Sequence, residues 1–424
     1  MTPMASPASV RRHNLSLMLR HLHQSGALSR SEIGGALGMT RSTIAELVAD
    51  LRARGLVQEG DPARLGSPGR PSRAVMPNPE GAAAITAEIF VNSLSAAVVG
   101  LGGRILHLVR VAHRPSRLAV EQTIEDIGRL IEAAQAAIPP GCWVAGLGVA
   151  VPGVVRRADG LVHFAPNLGW RDVPFGTLVS ERLGSRLPIA IANEADLGAL
   201  GEHTWGAGIG VDHLIYLSSE VGIGGGVIVD GRPLVGAAGV AGEVGHVQLN
   251  PAGRRCRCGA IGCWETEIGG PALLRRAGLS EKAYRPEVVS RLLDQASAGD
   301  PVARSAVEDV GHWLGAGLAG LINAFNPQRL VLGGFLGEMW PLVEEIVHKE
   351  LRVRVMAPAL EVVQIRPARL GAQATLLGAA ELALTAVLED PTLVPVREVE
   401  RAMVERRDGD EWEGGWAQAV GEPR

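Results

Sequence analysis

Lysine is almost missing from this chain of 424 residues: Lys282 and Lys349 are the only two, so arginine carries nearly all the positive charge. Cysteine is scarce as well, with four in all, and three of those fall within eight positions, which argues against a secreted disulfide framework. No uninterrupted apolar run reaches the length of a membrane span, and the opening MTPMASPASVRRHN lacks the apolar core of a signal peptide. Net charge is only −4, so overall charge does not mark a nucleic-acid binder. These absences leave a soluble, cytoplasmic, globular protein as the expectation, with no membrane partner. The length and a hydrophobic share of 46% allow two to three domains around a large core.

The distribution of charge says more than its sum. Residues 1–80 hold ten arginines against six acids, so a basic head precedes an acidic body. RHNLSLMLRHLHQSG places Leu15, Met18, Leu19 and Leu22 at helical spacing, with Gly26 as a stop. SRSEIGGALG opens with a capping box, Ser29 at the N-cap and Glu32 three positions later. After the Gly38-Met39 turn, Thr40 caps a third helix whose stripe is Ile44, Leu47, Val48 and Leu51. Two short helices around a tight turn, the second opening with Arg41, Ser42 and Thr43, form a helix-turn-helix pattern. LVQEGD and SRAVMPNP read as strands around the loop ARLGSPGRP, which makes the head a winged helix. The tip carries Arg70, a residue suited to a narrow minor groove. A three-helix interaction domain with a solvated hairpin is the bland alternative.

MPNPEGAA marks a joint near residue 80. Beyond it AAITAEIFV, SLSAAVVGL and GRILHLVRVA read as an antiparallel meander, followed by a helix over 119–138 and the buried strand VAGLGVAVPG. Strand and helix alternate again from PIAIANEADLGALGEHTWG onward, with helices over 303–325 and 341–352 around the strand NPQRLVLGG. Mixed sheets met twice imply a two-lobed α/β body with a cleft. The expected division is a head over 1–80, a first lobe over 81–195, a second lobe over 196–395 whose last helix returns to the first, and a flexible tail over 396–424.

Within GHVQLNPAGRRCRCGAIGCWE, residues Cys256, Cys258 and Cys263 stand at C-x-C-x4-C spacing ten positions after His246. Cys3His is a closed tetrahedral zinc set that leaves no place for a reactive water, so the ion would be structural. Gly253, Gly259 and Gly262 let the loop close tightly, and Arg254, Arg255 and Arg257 offset thiolate charge. Redox-active thiols or buried free cysteines are the competing readings.

The string AGEVGHVQLNPAGRRCRCGAIGCWE, together with GVAVPGVV, APNLGW, NEADLGALGE, VGIGGGVIVDG and NPQRLVLGG, resembles the ROK family of sugar-responsive repressors and sugar kinases, from about residue 10 to 390. The resemblance implies an actin/hexokinase-like (ribonuclease H-like) body behind the winged helix-turn-helix. It also implies a zinc motif bracing a sugar site at which Glu243, His246 and Glu265 face hydroxyls and Asn193 and Glu194 complete the ring. Carboxylates and amides are apt partners for vicinal diols, and a histidine held to zinc by one nitrogen presents the other. Taken singly, Glu243 and Glu265 read equally as surface acids and Asn193 as a helix cap.

Residues decide between the two activities of the family. Its kinases carry an aspartate before a Gly-Gly-Thr turn that cradles ATP phosphates, where this chain has Glu88 and then Phe90, Val91 and Asn92. The kinase catalytic aspartate is replaced by Glu194, although GIGGG from Gly222 to Gly226 survives. No catalysis is therefore expected. The expected function is a homodimeric or homotetrameric sugar-responsive repressor that binds operator DNA and changes its operator affinity on binding a sugar effector, release being the expected sign and activation the alternative. An active ATP-dependent sugar kinase with a DNA-binding head is the runner-up.

Overall fold

A computed structural model describes residues 6–60, 73–112, 119–184, 187–219 and 222–397. The chain divides into two compact units: Ala83–Thr385, and a second unit in which the first 82 residues join the segment from Ala386 onward.

The smaller unit, the head, is built on three helices, α1 (Pro7–Ser25), α2 (Arg30–Leu37) and α3 (Arg41–Ala53). Each starts where a hydroxyl satisfies a free backbone N–H. Ser6 accepts from Ser9, Ser29 and Glu32 close the expected capping box, and Thr40 accepts from the N–H of Thr43. Leu15, Met18, Leu19 and Leu22 of α1, Ile33 of α2, and Ile44, Leu47, Val48 and Leu51 of α3 are buried where the three helices pack. A small antiparallel sheet in the order β1 (Leu28–Ser29), β3 (Ala74–Pro77), β2 (Val57–Gly60) completes it. Arg70 and the loop between β2 and β3 lie outside the described residues, as does the chain beyond Arg397.

Residues 386–397, expected as the end of the second lobe up to 395 and as tail beyond it, pack in the head. Ser16 Oγ donates to the Leu388 carbonyl at 2.7 Å, and Arg54 Nη1 donates to the carbonyls of Val394 at 2.6 Å and Thr392 at 3.2 Å. Arg12 and Arg20 face Asp390 and Glu389.

The larger unit, the body, contains two five-stranded sheets of one design. The first joins β4 (Ala82–Ile89), β5 (Ser93–Gly100), β6 (Arg104–Ala112), β7 (Trp143–Val151) and β11 (Ile189–Asn193) in the order β11-β7-β4-β5-β6. The second joins β12 (Leu214–Ser218), β13 (Gly224–Val229), β14 (Arg232–Pro233), β15 (Arg329–Leu332) and β16 (Gln364–Pro367) in the order β14-β13-β12-β15-β16. Numbered within its own lobe, each sheet reads 3-2-1-4-5, with an antiparallel start and a parallel finish. A minor sheet, β10 (Trp170–Val173), β9 (Leu161–Ala165), β8 (Val154–Arg156), hangs beside the first.

Helices α4 (Val120–Ala136) and α5 (Phe175–Leu183) pack in the first lobe. The second holds α7 (Glu265–Ile268), α8 (Gly270–Arg276), α9 (Pro286–Ser297), α10 (Pro301–Phe325), α11 (Phe335–Arg354) and α12 (Ala357–Val362). Between the lobes run α6 (Glu194–Trp205) and α13 (Ala374–Glu389), their small seam formed by Ala150, Ala192, Leu197 and Ala379. They touch backbone to backbone: a Cβ on Gly378 would collide with the Leu197 carbonyl, and one on Gly201 with that of Ala374. The buried Glu202 carboxylate accepts from the backbone N–H groups of Ala207, Arg369 and Leu370, fixing the approach to α13. Gly371–Glu389 is long and apolar enough to cross a membrane by length and composition, but within the body its face is spent on α6.

Candidate functional site

The polar end of the interlobe cleft is set by the junction of β11 and α6. Asn193 ends the strand and caps the helix, its Oδ1 accepting from Ala195 at 2.7 Å and Asp196 at 3.3 Å, while its Nδ2 donates to the Gly153 carbonyl at 2.8 Å. The cap role weighed from the sequence is thus real, and it holds the amide on the cleft wall. Glu194 follows in the first turn. Its Oε2 is sealed from solvent with no protein partner, and burial raises its carboxyl to about 8, with the nearby Glu243 and Asp196 adding to the rise. Asp196 is also raised by burial, opposed by the Arg157 guanidinium 3.0 Å away. Behind them, a Cβ on Gly226 would strike the Ala195 carbonyl, so that glycine of GIGGG is explained by packing of β13 against α6.

Opposite stands the cysteine loop, a small hairpin with bridges Gln248 to Cys263 and Arg255 to Ile261. Gly262 has a positive φ of 74°, and a Cβ there would strike the Asn250 carbonyl, so only glycine closes this turn. Trp264 anchors the loop: it is fully buried, and its Nε1 donates to the Trp313 carbonyl on α10 at 2.9 Å. His246 is presented by a single 3-10 turn, Val244–His246.

The side chains of His246, Cys256, Cys258 and Cys263 bring four donor atoms within 4.8 Å of one another. His246 Nδ1 lies 3.6 Å from Cys256 Sγ, and Cys258 Sγ 3.6 Å from Cys263 Sγ. Donors on a tetrahedral zinc ion are about 3.3–3.8 Å apart, given metal distances of about 2.3 Å to sulfur and 2.0 Å to nitrogen. The four residues therefore fit a metal ion. Burial and the adjacent Glu265 carboxylate push the Cys256 thiol up, and burial does the same for Cys263; a bound cation reverses that preference. Cys256 Sγ is 2.8 Å from Glu265 Oε1. The other face of His246 looks across the cleft, its Nε2 3.9 Å from Glu243 Oε2. Glu243 is raised chiefly by burial, with His246 holding it down.

Asn193, Glu194, Glu243, His246 and Glu265 thus line one cavity of about 320 Å³, as the five predicted sugar contacts should if they share a site. Phe90 and Val91 lie on the wall of the same cavity, and the Phe90 N–H is bound to the Ser93 carbonyl at 2.9 Å. The sequence reading missed the first-lobe contribution of Pro152, Pro166 and Asn167, although GVAVPGVV and APNLGW contain them. It also treated Arg254, Arg255 and Arg257 of the loop as charge balance only, whereas these three, with Arg275 of α8, line the cavity.

In the head, Arg41 and Ser42 are exposed at the start of α3, while Thr43 is half-buried and its Oγ1 sits 2.9 Å from the capping Thr40 hydroxyl. Arg11, Arg30, Arg52 and Arg54 are drawn to Asp50 and Glu59. Arg41 is left outside the ion pairs of the described residues.

Two lobes of one sheet design, closed around a cavity of carboxylates, an amide and a histidine from a Cys3His set that fits a metal ion, define the class of sugar-kinase-like α/β proteins. The chain belongs to the ROK family, which it matches over residues 85–386. It is 28% identical to the xylose repressor of Bacillus subtilis (strain 168), covering 92% of this chain and 99% of that one. It is 34% identical to the glucokinase of Streptomyces coelicolor, covering 70% of this chain and 96% of that one. Among solved structures, a ROK family transcriptional regulator described as a homologue of the E. coli MLC protein superposes with a TM-score of 0.70 at 24% identity, covering 90% of this chain and 97% of that chain.

Proposed function

We propose that the protein is a sugar-responsive transcriptional repressor. One observation carries this: the similarity to a named repressor runs along 92% of the chain, whereas the glucokinase covers 70%, a difference comparable to the head. The head is read as a winged helix-turn-helix that inserts α3 into the major groove, with Arg41, Ser42 and Thr43 at base edges and phosphates and Arg70 in the adjacent minor groove. The helix N-terminus adds a partial positive charge where a phosphate would lie. Homodimers or homotetramers present two heads to a pseudo-palindromic operator in the cytoplasm.

In the body, a sugar binds among Asn193, Glu194, Glu243, His246 and Glu265, and a structural Zn2+ on His246, Cys256, Cys258 and Cys263 holds the last two of these in place. With a protonated carboxyl at Glu194, that residue donates to a sugar hydroxyl while Glu243 and Glu265 accept. Phosphoryl transfer is not expected: Phe90 and Val91 occupy the wall where a kinase of this family cradles ATP phosphates, and Glu194 replaces the catalytic aspartate. Sugar binding favours one lobe arrangement and loosens the operator complex by its differential affinity for the two states.

A sugar panel tests the cleft reading by thermal stabilisation of the metal-loaded protein, run beside an ATP-dependent phosphorylation assay. Stabilisation by at least one sugar without turnover is the expected result. Phosphorylation at an ordinary turnover number of about 1–100 per second would replace the sensor with the kinase.

A further inference from the structure

The cavity is lined by charges of both signs, and a neutral sugar accounts for the acids alone. Glu194, Glu243 and Glu265 supply the groups that hydroxyls need. Arg254, Arg255, Arg257 and Arg275 line it too, and among the described residues Glu281 is the one carboxylate paired with any of them. Arg275 is 2.7 Å from Glu281 and Arg254 3.5 Å from it, so two guanidiniums share that one carboxylate. Arg257 donates to the neutral Asn167 Oδ1 at 2.7 Å, which places its guanidinium at the cavity without cancelling its charge. Arg255 has no hydrogen bond or ion pair among the described residues.

Balancing the metal loop does not account for this. A divalent ion on three thiolates and a neutral imidazole has one net negative charge, and the arginines exceed Glu281 by three. Over the whole cavity that surplus of two is offset by the acids Glu243 and Glu265, so the attraction for an anion is local, at Arg255 and Arg257, which have no carboxylate partner among the described residues. Guanidinium forks match the paired oxygens of phosphate and carboxylate, whereas a neutral hydroxyl offers them one uncharged acceptor and no bidentate fit.

Resting on the sugar-sensing reading above, we propose that these arginines form an anion subsite and that the effector is a sugar bearing an anionic substituent, a phosphate ester or a carboxylate. The acids read the hydroxyls, and Arg255 and Arg257 grip the anion.

The test measures binding to the full-length, metal-loaded protein by calorimetry, using glucose, xylose and mannose, the 1- and 6-phosphates of the hexoses, glucuronate, and inorganic phosphate. At least one ester or the uronate should bind about tenfold or more tighter than its parent sugar, a preference weakening with salt. Phosphate esters above glucuronate identify a phosphate site, and the reverse order a carboxylate site. The double variant Arg255→Gln/Arg257→Gln should lose the preference and keep the parent sugar's affinity, with metal content and the circular dichroism spectrum showing it folded and loaded. Arg255→Gln alone should lose part of it. Parent sugars binding as tightly as their derivatives would overturn the subsite while leaving the sugar sensor standing. So would a variant that keeps the preference, one that loses its metal, or binding of inorganic phosphate alone. Absence of binding by any sugar, neutral or anionic, would overturn both readings.

Discussion

Glu194→Gln isolates one carboxyl whose burial has a calculable consequence. An unfolded glutamate releases its proton near 4.5, whereas in the folded chain Glu194 holds it up to about 8. Between those values the folded state binds more protons than the unfolded one, so stability falls as pH rises. It is full below about 4.5 and lost through about 8, at up to about 1.4 kcal/mol per pH unit. The whole window is worth at most about 5 kcal/mol, and water reaching the cleft wall reduces that to a few. Glutamine mimics the neutral acid and does not titrate. The variant should therefore match the parent within about 1 kcal/mol at pH 5 and exceed it by a few at pH 8.5, several degrees in melting temperature. Calorimetric melts of metal-loaded protein at both pH values provide the check, and comparing the two proteins at each pH cancels the other titrating groups. A variant destabilised equally at both pH values would refute the reasoning, because Glu194 would then be ionised and satisfied in the native cleft.

Other perturbations follow from the same geometry. Trp264→Ala removes a fully buried ring and its hydrogen bond to Trp313, which should lower unfolding free energy by about 3–5 kcal/mol and release the metal at lower chelator concentration; denaturant midpoints and a metal indicator read the two effects. Gly378→Val places a branched side chain against the Leu197 carbonyl, and a loss of at least about 1–3 kcal/mol is expected by denaturant titration. Cys263→Ser should leave the protein with well under one metal ion by elemental analysis and abolish sugar-dependent stabilisation, whereas intact sugar binding would show that the loop does not shape the cleft.

Much of the fold was legible because local chemistry and burial agree. Ser29 with Glu32, and Thr40 ahead of Ile44, mark helix starts by a hydroxyl and a stripe, and both starts are where the caps place them. Pro341, expected at the start of a helix, lies in the second turn of α11, which begins at Phe335. Strands β8 to β10 are only three to five residues long and half-buried, too short to show a period. The association of residues 386–397 with the head rests on backbone carbonyls accepting from Ser16 and Arg54 and on two long-range ion pairs, Arg12 with Asp390 and Arg20 with Glu389, which no local pattern announces. Within the site, the metal set is read from residue type and spacing alone. The arginine lining is not, because which arginines turn toward a cavity depends on how the hairpin and α8 pack.

The central claim, a DNA-binding head governed by a ligand in the body, is tested most directly by fluorescence anisotropy on DNA from upstream of the protein's own gene, titrated with and without the panel of sugars and sugar derivatives. The account predicts specific binding that the effector weakens by about 5- to 150-fold, and that Arg41→Ala weakens without altering ligand-induced thermal stabilisation of the body. No DNA binding even at low salt, or an operator complex indifferent to a ligand that demonstrably fills the cleft, would contradict it.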